Sequence, residues 1–594
     1  MKIFFPLLLA QLSQSSFFNF TQPLSLIVKI LLGGIGLSLL VAGIFFLLLR
    51  VRAKNSIFFI SGLLPTVLTV ALIPNLRVFG YHGWLQAGIV YRILAGNIPP
   101  LNPLFWGEKV FYPWGYPLLL ALISKVLNVS PFYAAALASV LSLIFLLVMT
   151  FKIAQLFTPD RTDCLFATFV SLYAFTFSQG FWNPFQWIFK KIFGTAFIEI
   201  RAVPILEKFN GCTGFPLGIA FFAAALYFLL VLFNRPKPDY KSYAALFLSI
   251  LGVGFFYPLL LPGVVAGLVV VSGFVYFQRS KIPASLALAL LFLSLLILIP
   301  YLYPLSAFKH EAARFQASFF SRHEIQNLGI LLVTVFPISA ILFSGKTALL
   351  EIFKIKKKTL LHLMLAMIAN MALFLLVRAP IGTEYKFLSL ASYGLGILGG
   401  ICFSRIYAKK RFLCFLLMSL FLQPLGTDLV KKIVFWKTAS ESYEEKGIRT
   451  RPRDKDEAEV DDWILTHTKK DDVFIDSKMT LPIFASRVLF IGWDADEEIQ
   501  GYNMTVKMIL KELNGYDPKL VDERWLIVEN LLSDAPLDET RLRRLAQICR
   551  GHDVYLLTRS PEQKRKFSGN HFFTESFHNQ NFALFRMNPP GSSS

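Results

Sequence analysis

Long apolar runs recur through the first 430 residues, separated by short connections in which Lys and Arg cluster. A hydrocarbon slab about 30 Å thick takes roughly 20 apolar residues of helix to cross. By that measure the pattern predicts about twelve spans, near 24–49, 56–73, 132–153, 164–180, 215–233, 242–259, 263–277, 285–303, 328–343, 359–377, 387–403 and 412–428. The run 118–127 is too short to cross and reads as a re-entrant or interfacial piece. Pro258 and Pro262 split a long apolar stretch into a tight helical hairpin, because proline cannot continue a helix without losing a hydrogen bond. Near Lys437 the pattern changes. A charged stretch, SYEEKGIRTRPRDKDEAEVDD, leads into short alternating signals: helices near 460–467, 503–513, 525–532 and 540–549, and strands near 473–476, 553–558 and 582–587. The expected fold is an all-α polytopic membrane domain with a small C-terminal α/β domain. Residues 1–430 form the membrane part with a structured loop at 74–131, 431–456 a charged linker, and 457–594 a soluble unit.

Composition agrees with that division. Of 594 residues 55% are hydrophobic and only 16% charged, with 60 Phe and a mean hydropathy of +0.56, which excludes an ordinary soluble core. The net charge of +21 is largely a topology signal. Arg50, Arg52 and Lys54; Lys152 and Arg161; Arg235, Lys237 and Lys241; Arg279 and Lys281; Lys346, Lys354, Lys356, Lys357 and Lys358; and Arg405, Lys409, Lys410 and Arg411 fall in alternate connections. Such connections are expected in the cytoplasm, facing anionic lipid, so the charge calls for no nucleic acid. Alternation then puts the loop from Tyr81, the segments 182–214, 303–327 and 378–386, and everything beyond about Asp428 on the extracytoplasmic side of a bacterial inner or plasma membrane. Residues 1–12 read as a weak signal-like or interfacial segment. The five Cys residues show no CxxC spacing, so neither a disulfide framework nor a metal site is expected.

The loop from Tyr81 to Pro117, YHGWLQAGIVYRILAGNIPPLNPLFWGEKVFYPWGYP, stands apart from its lipid-soluble surroundings. Pro99, Pro100, Pro103 and Pro113 with Gly96, Gly107 and Gly115 fix its path, which an interfacial aromatic belt does not need. Trp106, Phe111, Tyr112, Trp114 and Tyr116 have two readings, an interfacial belt or a platform on which rings stack, and the fixed path favours the second a little. Two tandem apolar spans followed by YHGW, IVYRIL, GNIPPLNPLFWGE and YPWGYP resemble the bacterial polytopic proteins of the GT-C superfamily of glycosyltransferases. TEYKFL before the eleventh span and LPIFASR in the C-terminal domain extend the similarity weakly. The resemblance implies transfer of a sugar from a polyprenyl-phosphate donor outside the cytoplasm, with membrane lipid and the lipid-linked sugar as partners. It specifies no cofactor, though a divalent metal is compatible with it.

Members of that superfamily usually carry an acidic residue, most often Asp, in this loop. Here the chain departs from the pattern, since before Asp428 its only Asp residues are Asp160, Asp163 and Asp239, all on the expected cytoplasmic side. Sugar transfer needs a base for the acceptor hydroxyl and positive charge for the departing phosphate. Glu108 and His82 are the loop's candidates for the base. Arg92, Lys109, Arg378 and Lys386 are the cations on the correct face, with Tyr112, Trp114 and Glu384 as further substrate contacts. Each has a plainer role as well: Glu108 with Lys109 as a solvated turn, His82 as a helix cap, Arg92 reaching for headgroups, and Glu384 with Lys386 as an interfacial ion pair. A transporter or flippase of lipid-linked sugars, and a non-catalytic scaffold, are the competing functions. Carriers place charge within their spans, whereas the unusual residues here gather in one loop.

Overall fold

The computed structural model describes residues 36, 39, 80–172, 205, 209, 213–234, 240–278, 281–306, 316–317, 322–378, 383–414, 455–477, 481–492, 506–508, 510–511 and 516–588. The expected spans 24–49, 56–73 and 412–428 and the linker 431–456 fall largely outside these residues. In the membrane part, α1 (Gly80–Leu94) and α2 (Gly115–Leu127) precede α3 (Pro131–Gln155), and residues 161–172 are helical. Next come α4 (Phe215–Asn234), α5 (Tyr240–Phe256), α6 (Leu261–Phe277), α7 (Lys281–Ser306), α8 (Arg322–Ser344), α9 (Lys346–Leu376) and α10 (Tyr385–Lys409). Six helices among the described residues are long and apolar enough to cross a membrane, and three apolar helices are shorter: Leu85–Leu94, Gly115–Leu127 and Tyr240–Phe256. The chain is an integral membrane protein.

Helix α10 is the axis of the bundle. It is buried from Lys386 to Ser404, and at Gly400 the backbone of Phe166 and Ala167 comes so close that a Cβ would meet it, the kind of close packing small residues allow in lipid. It packs against α8 and α9, and α9 packs against α6. The hairpin expected at Pro258 and Pro262 is present: α5 ends at Phe256, a single 3₁₀ turn covers Pro258–Leu260, and α6 starts at Leu261 with its proline in the first turn. Residues 118–127 lie in α2, which is 13 residues long.

The C-terminal domain begins with α11 (Lys455–His467), followed by β3 (Val473–Asp476), α12 (Leu481–Phe484), β4 (Val488–Leu489) and α13 (Val506–Met508). It continues through α14 (Pro518–Leu532), α15 (Glu539–Ile548), β5 (Val554–Thr558), α16 (Pro561–Phe567), β6 (Phe573–His578) and β7 (Ala583–Met587). The sheet order is β4-β3-β5-β7-β6, parallel across the first three strands and antiparallel across the last three. A separate short antiparallel pair joins β1 (Gln316–Ala317) to β2 (Val377–Arg378) at the bundle end. Inside the domain, Arg559 holds Asp476 bidentately at 2.7 Å and reaches Glu457 at 3.1 Å, all three side chains being nearly inaccessible. This triad ties the first helix to the carboxyl ends of β3 and β5.

Candidate functional site

The loop after α1 is shared between two neighbours. Its first half belongs to the C-terminal domain. The Leu489 N–H donates to the Pro103 carbonyl (3.0 Å), the Trp106 N–H to the Leu489 carbonyl (3.0 Å), and the Gly492 N–H to the Leu104 carbonyl (2.7 Å). Pro103–Trp106, a turn, thus lies along the free edge of β4 and satisfies backbone groups that an open edge would expose. Phe105 is fully buried in the domain core, edge-on to Tyr516 at 4.8 Å. The Tyr516 hydroxyl accepts from the Asn102 amide (2.6 Å) and donates to the Lys109 carbonyl (2.7 Å), and the Asn102 side-chain oxygen accepts from the Leu104 N–H (2.8 Å).

Arg524, from α14, closes this grip. It donates to the Trp106 carbonyl at 2.6 Å, lies over the Phe105 and Phe490 rings at 4.6 and 5.1 Å, and reaches the Glu108 carboxylate at 3.7 Å. Burial lowers the pKa of its guanidinium, and Glu108 opposes the shift. Between Trp106 and Glu108 the backbone turns at Gly107 with φ +74°, a conformation that glycine adopts at little cost. Arg92 docks similarly. It is buried, donates to the Lys470 carbonyl at 3.2 Å and pairs with the exposed Asp471 at 3.4 Å; burial, partly offset by Asp471, lowers its pKa. Lys109 is exposed on the far side of a backbone bridge to Leu101.

The second half of the loop belongs to the bundle. Trp114 packs edge-on to Tyr301 at 5.4 Å and Phe255 at 6.2 Å. The Gly115 N–H donates to the Tyr301 hydroxyl at 3.0 Å, and that hydroxyl donates to the Phe255 carbonyl at 2.9 Å. A side chain at Gly115 would run into the Phe255 carbonyl oxygen, so glycine is what lets α2 start this close to the end of α5. Tyr112 lies within electrostatic range of both Tyr257 and Tyr301, and Tyr385 within range of Tyr257. Over the Tyr257 ring, at 5.0 Å, stands the ammonium of Lys386, 5% exposed and also 5.8 Å from the Tyr385 ring. Glu384, buried, occupies the N-cap of α10 two residues before Lys386. At one end of the bundle the fold therefore gathers a buried cation, four tyrosines, a tryptophan and a carboxylate, where the α5–α6 hairpin breaks and α10 begins.

The residues singled out from sequence thus separate. Tyr112, Trp114, Glu384 and Lys386 belong to the hairpin end, whereas Arg92, Glu108 and Lys109 line the contact with the C-terminal domain. Arg378 is exposed on β2, opposite Gln316 in the ladder. His82 falls in α1, but its side chain lies outside the described residues. Tyr257 and Tyr301 were not anticipated, although each sits beside a proline, Pro258 at the break between α5 and α6 and Pro300 within α7. Arg524 and Tyr516 had no local signal, because their partners lie about 400 residues away in the chain. Among the described residues no group of three His, Cys, Asp or Glu side chains is placed to hold a metal ion.

Neither a family model nor a curated protein matches this sequence. Solved structures do. The crystal structure of ArnT from Cupriavidus metallidurans bound to undecaprenyl phosphate superimposes with a TM-score of 0.50 over 88% of this chain and 96% of that one, at 13% identity. The apo state of the same protein gives a TM-score of 0.50 over 90% and 98%, also at 13% identity. The chain has an ArnT-like fold along nearly its whole length.

Proposed function

We propose that this protein is a membrane glycosyltransferase that takes a sugar from a polyprenyl-phosphate donor at the hairpin-end cluster. The reading rests on one observation above all: the buried Lys386 ammonium is held over Tyr257 beside the aromatic end of the Tyr81 loop. A lysine ammonium is a compact point charge suited to phosphate, and a lipid phosphate reaching up from the bilayer is an anion of the right kind. Tyr112 and Trp114 offer the faces on which a sugar ring stacks, and tyrosine hydroxyls supply donors for the phosphate oxygens. The structure of ArnT holding undecaprenyl phosphate supports the same chemical class of donor.

In this reading Lys386 stabilises the leaving phosphate as the glycosidic bond breaks, and a carboxylate takes the acceptor's proton. Glu384 sits in the cluster, buried at a helix N-terminus that favours negative charge, and is assigned that role. Glu108 would have to release Arg524 to serve. The loop and the C-terminal domain are assigned to the extracytoplasmic side on the alternation of Lys and Arg.

The test is an assay of the purified full-length protein against a panel of polyprenyl-phosphate sugars. Lys386→Ala is expected to weaken donor use. Glu384→Gln should cost on the order of 100- to 10,000-fold in rate. A near-normal Glu384→Gln beside an inactive Glu108→Gln or His82→Ala would move the base into the loop. An absence of turnover with any donor, with binding retained, would favour a scaffold.

A further inference from the structure

The C-terminal domain holds the front half of the same loop whose back half lines the hairpin-end cluster, and the change of hands falls between Phe111 and Trp114. Phe111 packs on Tyr516 at 5.1 Å, and three residues on, Trp114 packs on Tyr301 at 5.4 Å. From Asn102 to Phe111 the segment is fixed by backbone pairing to β4, by the Tyr516 hydroxyl and by Arg524; from Trp114 onward it is fixed by Tyr301 and Phe255. Arg524 is built for the first of these tasks. Its side chain is 6% exposed, two aromatic rings sandwich it, and its contacts in the loop are the Trp106 carbonyl and the Glu108 carboxylate on either side of the Gly107 turn.

We infer that Arg524 and Tyr516 are positioning residues of the C-terminal domain that set the placement of Tyr112 and Trp114 in the lipid-phosphate site, with Glu108 serving as the handle that Arg524 grips. This inference rests on the functional reading above. A carboxylate at position 108 then acts through the loop's geometry and touches no substrate. A displacement of about 1 Å in a substrate-contacting group can cost on the order of 100-fold, so a grip several residues away is enough to govern the site.

The experiment uses the full-length protein and two readouts: amide hydrogen exchange, and binding of undecaprenyl phosphate by native mass spectrometry. Arg524→Ala, Glu108→Gln and the milder Tyr516→Phe are compared with wild type. The expected result is faster exchange confined to residues 103–112, unchanged exchange in α9 and α10, and binding weakened about tenfold, with Arg524→Ala/Glu108→Gln no worse than Arg524→Ala alone because both remove one contact. Tyr516→Phe covers the case in which Arg524→Ala does not fold. Unchanged loop exchange, or a loosened loop that binds undecaprenyl phosphate as tightly as wild type, overturns the inference. Failure of the functional reading shows separately, as wild-type protein that binds no undecaprenyl phosphate, and removes both.

Discussion

Phe105 shows how far one loop residue can be committed to another part of the chain. Its ring is fully buried between Tyr516 and Arg524 of the C-terminal domain, so Phe105→Ala leaves a cavity and should destabilise that domain by about 3 kcal/mol. Denaturant unfolding followed by circular dichroism of the full-length protein checks this, and a loss under about 1 kcal/mol would mean that the site collapses around the smaller side chain. Gly115 is tested by the opposite change. Gly115→Ala drives a methyl group into the Phe255 carbonyl, so α2 must shift, and the melting temperature in detergent should fall by several degrees. From sequence, the aromatic and glycine-rich character of this loop was plain. What could not be read there was that Arg92 and Glu108 face a protein domain. A charged residue in a loop looks the same whether its partner is a phosphate or an arginine 416 positions later, as the Glu108–Arg524 pair shows.

At the scale of elements, periodicity and proline placement carried most of the information. The α5–α6 hairpin, β3 and β5 fall where the apolar runs and breakers put them, since each is defined by its own residues. The two-residue β4 and the exposed strand β6 were missed, the first because it is too short to show a pattern and the second because FTESFH alternates weakly. The turn that the loop lays beside β4 was beyond reach for a different reason: its hydrogen bonds exist only through pairing across the chain. An isolated fragment of 457–587 would lack that cover and Phe105, and would leave Arg524 without Trp106 and Glu108. It should therefore give a poorly dispersed amide spectrum or aggregate, and a peptide covering 100–112 added to it should sharpen the spectrum. A well-dispersed spectrum of the fragment alone would show that the edge of β4 needs no cover.

For the whole molecule, the contacts of Arg92 with Asp471 and of Trp106 with Leu489 place the Tyr81 loop and the C-terminal domain at the same end of the bundle. Cysteines introduced at Asn97 and Ser560 should accordingly label from the same side of sealed cells, and from outside if the Lys and Arg alternation assigns the faces. Labelling from opposite sides would contradict the packing itself. The central claim is that the Lys386 cluster receives a lipid-linked phosphate, and it is tested most directly by the affinity of the purified protein for undecaprenyl phosphate, wild type against Lys386→Ala. The account predicts saturable binding that falls about tenfold or more when the ammonium is removed, since a hydrogen bond to a charged group contributes roughly 1.5–3 kcal/mol. Equal affinity in the two proteins would contradict it.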